Sequence, residues 1–466
     1  MRSLLLSLCL GFFTLVSALS AQGNKLLVVI DDEADRSKYS RFWTSLEGRG
    51  YDITYKTPKD SSLSLFHLGE PAYSHLLLLP TKSKALGIAL SPNSIVDFVN
   101  AGSNVLLGLS GGENTVPAAI ASLLLEFDVQ LAPERNSVVV DHFNYDLKSS
   151  EETHDVILAN VHQLKRQDVK NFFSLDGLIA FPRAVGQVLG NASPLLSSVV
   201  KGDSTAYIYS KDSDADDEAF ATGSQISLVT AFQGRNSARF TILGSSETLE
   251  DKWFGATVQL PAQEAVKTSN EAFAAAVSAW TFKELGVLKV NAINHFLNEG
   301  VQRGQDTENS ALELNPDLYR VKNDVSYSIS VSSWTLDHWE PFVVPSGDEL
   351  QLEVSMLSPF HRLDLKPAKS TANETIYQRE FKLPDQHGIF NLFVEYRRPF
   401  FTNLEEKRTV TVRHFAHDEW PRSYVITGAY PWIGGIWVTI AGFIGFVAIW
   451  LYSAPAQPKQ DLKAKR

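Results

Sequence analysis

From Lys25 onward, short apolar runs alternate with longer segments that are apolar on one side only. Leu26-Leu27-Val28-Val29-Ile30 is continuously apolar, as a strand buried on both faces requires. A helix with Phe42, Trp43 and Leu46 on one side follows, and Gly48 and Gly50 end it. Residues 52–55 and 75–79 predict second and third strands. Ser91-Pro92 sets a capping hydroxyl before a proline suited to the first helical position. That helix carries Ile95, Val96, Phe98 and Val99 as far as Gly102. Residues 105–109 predict a fourth strand and 117–127 another helix. Strands alternating with helices imply a parallel, doubly wound α/β sheet. Residues 226–231 and 240–243 extend it as strands, and 272–285 as a helix. An acidic loop, 203–218, comes just before them.

The period changes near Leu314. Residues 325–331, 350–356, 389–396 and 409–413 read as strands between proline and glycine turns, the pattern of an all-β sandwich. Past it, residues 433–451 carry no charge, with Tyr430 and Trp432 before them and Trp450 and Tyr452 at the far end. Aromatic residues at both ends of such a run mark the interfaces of a membrane-spanning helix. Lys459, Lys463, Lys465 and Arg466 against Asp461 then put the tail in the cytosol and residues 21–430 in the lumen. At the start, Arg2, an apolar run over 4–16 and small residues at Val16-Ser17-Ala18 or Ala18-Leu19-Ser20 make a cleavable signal. The expected organisation is a signal over 1–20, an α/β domain over 25–300 and a β-sandwich over 314–428. A transmembrane helix over 431–452 and a tail over 453–466 complete it.

Composition narrows the chemistry. The single cysteine, Cys9, lies in the signal, so the processed chain has no disulfide, no thiolate nucleophile and no Cys-ligated zinc. Without Arg2, the four tail cations and Asp461, 42 basic and 53 acidic residues become 37 and 52, a luminal net charge of −15. So acidic a surface argues against nucleic acid or anionic lipid as partner.

Several motifs resemble active-site chemistry. Gly108-Leu109-Ser110-Gly111-Gly112 matches the Gly-x-Ser-x-Gly elbow between a strand and a helix, and His142, His154 and His162 follow in the order a hydrolase would use. A tight crossover is glycine-rich for packing reasons as well. Asp31-Asp32 resembles a phosphoacceptor acid pair, but the third strand ends Leu79-Pro80 without an acceptor. Gly-x-Gly-x-x-Gly is missing from that turn, so no cofactor motif is visible. Asp212-x-Asp214-x-Asp216 begins like a calcium loop but has Asp217 and Gly223 where glycine and glutamate belong. His414-x-x-His417 beside Asp418 lies in a β region, where that spacing splits the rings, which argues against a metal site. Trp334, Trp339 and Trp420 could stack on a sugar, although sandwich tryptophans commonly belong to the core.

Together, several stretches resemble the family of the 48-kilodalton subunit of oligosaccharyltransferase, the Wbp-type subunit in fungi. They include Leu63-Ser64-Leu65-Phe66-His67-Leu68-Gly69-Glu70, then Asp97-Phe98-Val99 leading to Gly102-Ser103-Asn104-Val105-Leu106, and Asp141-His142-Phe143-Asn144-Tyr145-Asp146. Further on come Gln351-Leu352-Glu353, Met356-Leu357, Pro359-Phe360, Arg362, Leu383-Pro384-Asp385, Gly388, Pro421-Arg422 and Tyr430-Pro431. The resemblance implies a degenerate amidotransferase (flavodoxin-like) domain on a membrane-anchored sandwich. It also implies a non-catalytic, scaffolding subunit in the endoplasmic reticulum membrane. Its partners would be other subunits of the complex, including a catalytic multi-spanning one that transfers oligosaccharide from dolichyl diphosphate to Asn-x-Ser/Thr. Where amidotransferases of this fold have a cysteine, Ser110 stands here, so no catalytic residue, cofactor or metal is assigned. Some members end in a di-lysine signal, but Ala464 follows Lys463 here, so retention would come from assembly. A serine hydrolase using Ser110 and a glycan-binding receptor are the alternatives.

Two sites remain as expectations. Asn373-Glu374-Thr375 is a glycan acceptor, whereas Asn191-Ala192-Ser193 is spoiled by Pro194. In the membrane helix, Gly434, Ala441, Gly445 and Ala448 fall on one stripe and predict a face that packs on a neighbouring helix.

Overall fold

The computed structural model describes residues 19–81, 86–112, 115–161, 169–191, 193–210, 218–261, 263–300, 303–304, 312–420, 427–453 and 455. The signal before Leu19, His162, the acidic positions 212–217, Pro421-Arg422 and the basic tail lie outside them. The chain forms two compact units, residues 1–412 and 413–466.

The first unit opens with strand β1 (Lys25–Val29), helix α1 (Ser40–Gly48) and strands β2 (Asp52–Lys56) and β3 (His75–Leu78). Helix α2 (Pro92–Asn100), β4 (Asn104–Gly108), α3 (Ala118–Glu126), β5 (Val129–Leu131), β6 (Gln187–Leu189) and β7 (Leu196–Lys201) come next. Strands β8 (Ile226–Gln233) and β9 (Arg239–Leu243) and helix α4 (Asn270–Thr281) complete this region. The strands lie in the order β2-β1-β3-β4-β9-β8-β6-β5, with β7 beside β8. Along that order the pairs β2-β1, β1-β3, β3-β4 and β4-β9 are parallel, and β9-β8, β8-β6, β6-β5 and β8-β7 are antiparallel. Alternation along β1 sends Leu26 and Val28 into a core with Phe42, Trp43, Leu46, Phe273 and Val277. Leu27 and Val29 meet Ile95, Phe98, Ile120, Leu123 and Leu124 on the other face. With both faces covered, β1, β3 and β4 are apolar after their first residues, Lys25, His75 and Asn104. Ser91 caps α2 as expected, its hydroxyl accepting from the Ser94 amide at 3.2 Å with Pro92 in the first turn.

Helix α4 stops at Thr281, short of the expected 285. Lys283 takes a left-handed φ of 59°, and the chain leaves directly as β10 (Leu285–Leu297). Although these residues fall within the 25–300 expected for the α/β domain, β10 pairs along its length with β12 (Asp324–Thr335) of the second sheet. That second, β-rich sheet also contains β11 (Leu318–Arg320), β13 (His338–Pro341), β14 (Leu350–Ser355), β15 (Pro359–Ser370), β16 (Thr375–Lys382), β17 (Gly388–Tyr396) and β18 (Leu404–Arg413). Its order is β10-β12-β16-β15-β14-β17-β18-β11, with β13 beside β12. β15 changes partners along its length, pairing with β14 through Leu365 and with β16 from Lys366. Val325, Tyr327, Ile329, Leu352, Phe390, Val394 and Val412 are among the side chains buried in this region.

Arg239 ties the two sheets together. Fully buried, it donates to the carbonyls of Trp280 at 2.5 Å, Leu285 at 2.7 Å, Gly286 at 2.8 Å and Phe400 at 3.3 Å. Its guanidinium also lies 4.7 Å from the Trp280 ring centre, a favourable cation–π arrangement. Burial pushes its pKa down to about 9.

In the second unit, Arg413 forks onto Glu419 at 2.6 Å through each of two nitrogens. Helix α5 (Tyr430–Tyr452) follows, 23 residues of mean hydropathy 2.0 with nothing buried. At 1.5 Å per residue it is about 34 Å long, enough to cross a bilayer core of about 30 Å.

Candidate functional site

Open parallel sheets bind ligands beyond the carboxyl ends of their strands, where the strand order reverses. Here β1 leads outward to β2 and then inward to β3, so the reversal lies between β1 and β3. A cavity of about 120 Å³ occupies that place, lined by Ile30, Asp31, Leu79, Pro80, Thr81 and Ser110 on the strand ends. Asp35, Lys38, Tyr39, Arg183, Ser246, Glu247 and Glu250 close its other side.

Its charges are largely satisfied in pairs. The Arg183 guanidinium donates to Glu247 at 2.9 Å from Nε and lies 2.7 Å away through a second nitrogen. Lys38 sits 2.7 Å from Asp35, whose hydrogen bond raises the lysine pKa. Burial, reinforced by Glu247, holds the Glu250 carboxyl above its ordinary range. Thr81 is 7% exposed and its hydroxyl has no partner among the described residues. The site therefore retains the position of a ligand crevice, with both of its cations, Lys38 and Arg183, held by carboxylates.

The elbow signature takes on a different meaning in three dimensions. A nucleophile elbow holds its serine in a strained turn with the hydroxyl exposed. Ser110 is 5% exposed and is not among the described residues with left-handed φ. Its neighbouring glycines answer to packing. A Cβ on Gly108 would come within 2.9 Å of the Ser246 Cβ, and one on Gly111 within 2.7 Å of the Ser137 carbonyl and the Val138 side chain. Among the described residues no histidine lines this cavity. His142 and His154 contact each other through their Nδ1 atoms, with the Tyr207 hydroxyl 3.0 Å from His142 Nε2 and the Tyr145 ring 3.9 Å from that of His154.

The remaining motifs fall apart similarly. Asp32 caps the turn after β1 by accepting from the Ala34 amide at 3.0 Å. No group of three metal-ligating side chains occurs among the described residues, and His414 Nδ1 accepts from the Phe415 amide at 3.0 Å. Trp334 and Trp339 are half-buried and pack edge-on, 5.1 Å apart, while Trp420, 53% exposed, lies against Phe415 and His414. Asn373 is exposed in the turn joining β15 to β16. On α5, a Cβ at Gly434 or Gly445 would meet nothing within 4 Å, and Gly435 and Gly442 are equally open. Residue patterning had missed Arg239, Thr81 and the Arg183–Glu247 pair, because isolated polar residues far apart in sequence carry no period.

Comparison with known proteins places the chain as a whole. Residues 17–284 match the OST48 N-terminal domain and residues 302–454 the OST48 middle domain. The first match ends at the residue before β10. The chain is 32% identical over 97% of its length, and 97% of the relative's, to dolichyl-diphosphooligosaccharide–protein glycosyltransferase subunit wbp1 of Schizosaccharomyces pombe. It is 32% identical to the 48 kDa subunit of the same enzyme from Danio rerio, over 95% of this chain and 96% of that one. For the Arabidopsis thaliana 48 kDa subunit the identity is 29%, covering 92% of each. From its first sheet through its apolar C-terminal helix, the chain belongs to the OST48 family.

Proposed function

We propose that the protein is a non-catalytic, scaffolding subunit of an oligosaccharyltransferase complex, which transfers a dolichyl-diphosphate-linked oligosaccharide to asparagine in the endoplasmic reticulum lumen. The observation that carries this reading is the end-to-end match to subunits of that enzyme. The cavity supports the non-catalytic part, since its cations are paired and Ser110 is buried without a left-handed φ. On this reading the first region is a doubly wound, amidotransferase-like sheet ending at Glu284. The second is a luminal sandwich beginning at Leu285, α5 spans the membrane, and the residues after it are cytosolic. Its partners are the other subunits, the multi-spanning catalytic one among them.

The stripe of Gly434, Ala441, Gly445 and Ala448 is then a packing face for a partner helix, because small residues let two backbones approach in lipid. The test is gentle detergent extraction of the tagged protein from its host, followed by identification of stoichiometric partners. Oligosaccharyltransferase subunits should co-purify with wild type and with Ser110→Ala. They should be depleted with Ala441→Leu/Gly445→Leu, which inserts normally. A wild-type preparation lacking those subunits, or stoichiometric labelling of Ser110 by a fluorophosphonate, would overturn the proposal.

A further inference from the structure

Residues 19–23 precede β1 and belong to no strand or helix, yet most of their polar groups are used. The Leu19 amide donates to the Arg49 carbonyl at 3.2 Å, and the Leu19 carbonyl accepts from Trp334 Nε1 at 2.7 Å. Ser20 Oγ lies 3.1 Å from His75 Nε2 and accepts from the Gln22 amide at 3.2 Å. The Ala21 amide donates to the Lys283 carbonyl at 3.1 Å. The Gln22 side chain donates to the Gly102 carbonyl at 2.8 Å and accepts from Asn104 Nδ2 at 2.9 Å. The Gly23 carbonyl is 3.0 Å from His75 Nε2.

These partners come from everything that meets at the amino ends of the parallel strands. Arg49 caps the carboxyl end of α1, His75 opens β3 and Asn104 opens β4. Gly102 lies in the turn before β4, Lys283 in the turn leaving α4, and Trp334 on β12 of the second sheet. His75 and Asn104 are fully buried, with Nδ1 of one 3.1 Å from Nδ2 of the other.

The sequence offers two bonds for signal removal, after Ala18 or after Ser20. A cut after Ala18 keeps every interaction above. It also turns the Leu19 nitrogen into an ammonium at the Arg49 carbonyl, where the end of α1 favours positive charge. A cut after Ser20 removes the Leu19 carbonyl from Trp334 and the Ser20 hydroxyl from His75. His75 Nε2 would keep the Gly23 carbonyl, but the half-buried Trp334 indole and the Arg49 carbonyl would lose these bonds, and such losses are costly where water is shielded.

We infer that the chain is processed between Ala18 and Leu19, and that residues 19–23 of the processed protein form a hook locking the amino edge of the first sheet to the second. The proposal rests on the signal reading of the first residues, independently of any role in oligosaccharide transfer. Signal peptidase chemistry supplies the step: water adds across the Ala18–Leu19 amide, leaving a carboxylate on Ala18 and the amine on Leu19.

Full-length protein purified from its host membrane, dimethyl-labelled on its amines and digested with trypsin, should give a labelled first peptide of residues 19–36, because dimethylated Lys25 resists trypsin and Arg36 is the next cut. A first residue of Ala21 or later, or a retained Met1, would overturn the site. For the hook, full chains that start at Leu19 or Ala21 after removal of an engineered leader are compared by melting. Ser20→Ala on the Leu19 start is the milder variant. Ser20→Ala should melt several degrees lower than wild type, and the Ala21 start lower again or fail to fold. A Ser20→Ala variant and an Ala21 start that both melt with wild type would refute the hook.

Discussion

Replacing Arg239 by methionine keeps most of the stem's volume and removes the donors that face four carbonyls on both sides of the sheet junction. A net hydrogen bond from a charged group is worth about 1.5–3 kcal/mol, so four such contacts set an upper bound of about 6–12 kcal/mol. Against that, removing the guanidinium relieves the several kcal/mol that burying an ion costs. The balance is a destabilisation of about 3–5 kcal/mol, a melting change on the order of 10 °C for regions of this size. Arg239→Lys should fall between, because an ammonium has three donors but no planar fork. Trp280 lies on α4, Leu285 and Gly286 open β10 and Phe400 lies in the loop before β18, so Arg239→Met should also separate unfolding of the first sheet from that of the second. Urea unfolding followed by tryptophan fluorescence and far-ultraviolet circular dichroism reads both effects. If Arg239→Met unfolds in one transition within about 0.5 kcal/mol of wild type, a difference typical of neutral surface changes, the buried guanidinium does not hold the junction.

Two further outcomes follow from the same geometry. Burial pushes the imidazoles of His75 and His295 down to about 3 and about 4, with Arg408 adding to the effect at His295. Unfolded histidine protonates near pH 6.5, so the unfolded chain binds more protons below that pH. Stability should fall as pH drops from about 6.5 toward 4, by up to about 1.4 kcal/mol per unit for each histidine. A His75→Gln variant should show a shallower slope of urea midpoint against pH across that window, and an unchanged slope would refute the burial argument. Asn373, exposed in its turn, should carry a glycan in protein from the native host. Asn373→Gln should therefore lose one glycan's worth of mass, and identical gel mobility before and after the substitution would show the site is unused.

What could be read directly from the chain was whatever repeats along it. Strands β1, β3 and β4 announced themselves because a parallel strand covered on both faces carries a continuous apolar run, here broken only at the first residue of each. The cap at Ser91-Pro92 and the apolar run of α5 were equally legible, being local chemistry. The strand β15 was not: Leu365 is its one fully buried position, so it carries no alternation, and β16 before its pairing with β15 looks like a polar loop. Gly-x-Ser-x-Gly was legible as letters but not as meaning. Whether its glycines serve a strained nucleophile or two close backbone approaches depends on Ser246, Ser137 and Val138, none of them adjacent in sequence. The family resemblance, the apolar C-terminal helix and the excess of acid needed only the sequence, because each is a sum or a pattern over neighbours. Arg239 among four carbonyls, the paired charges around Thr81 and the choice between two processing bonds needed the tertiary structure. Each of these depends on which distant groups share a buried space, and there the energy of a polar atom is set by its partners rather than by its neighbours in the chain.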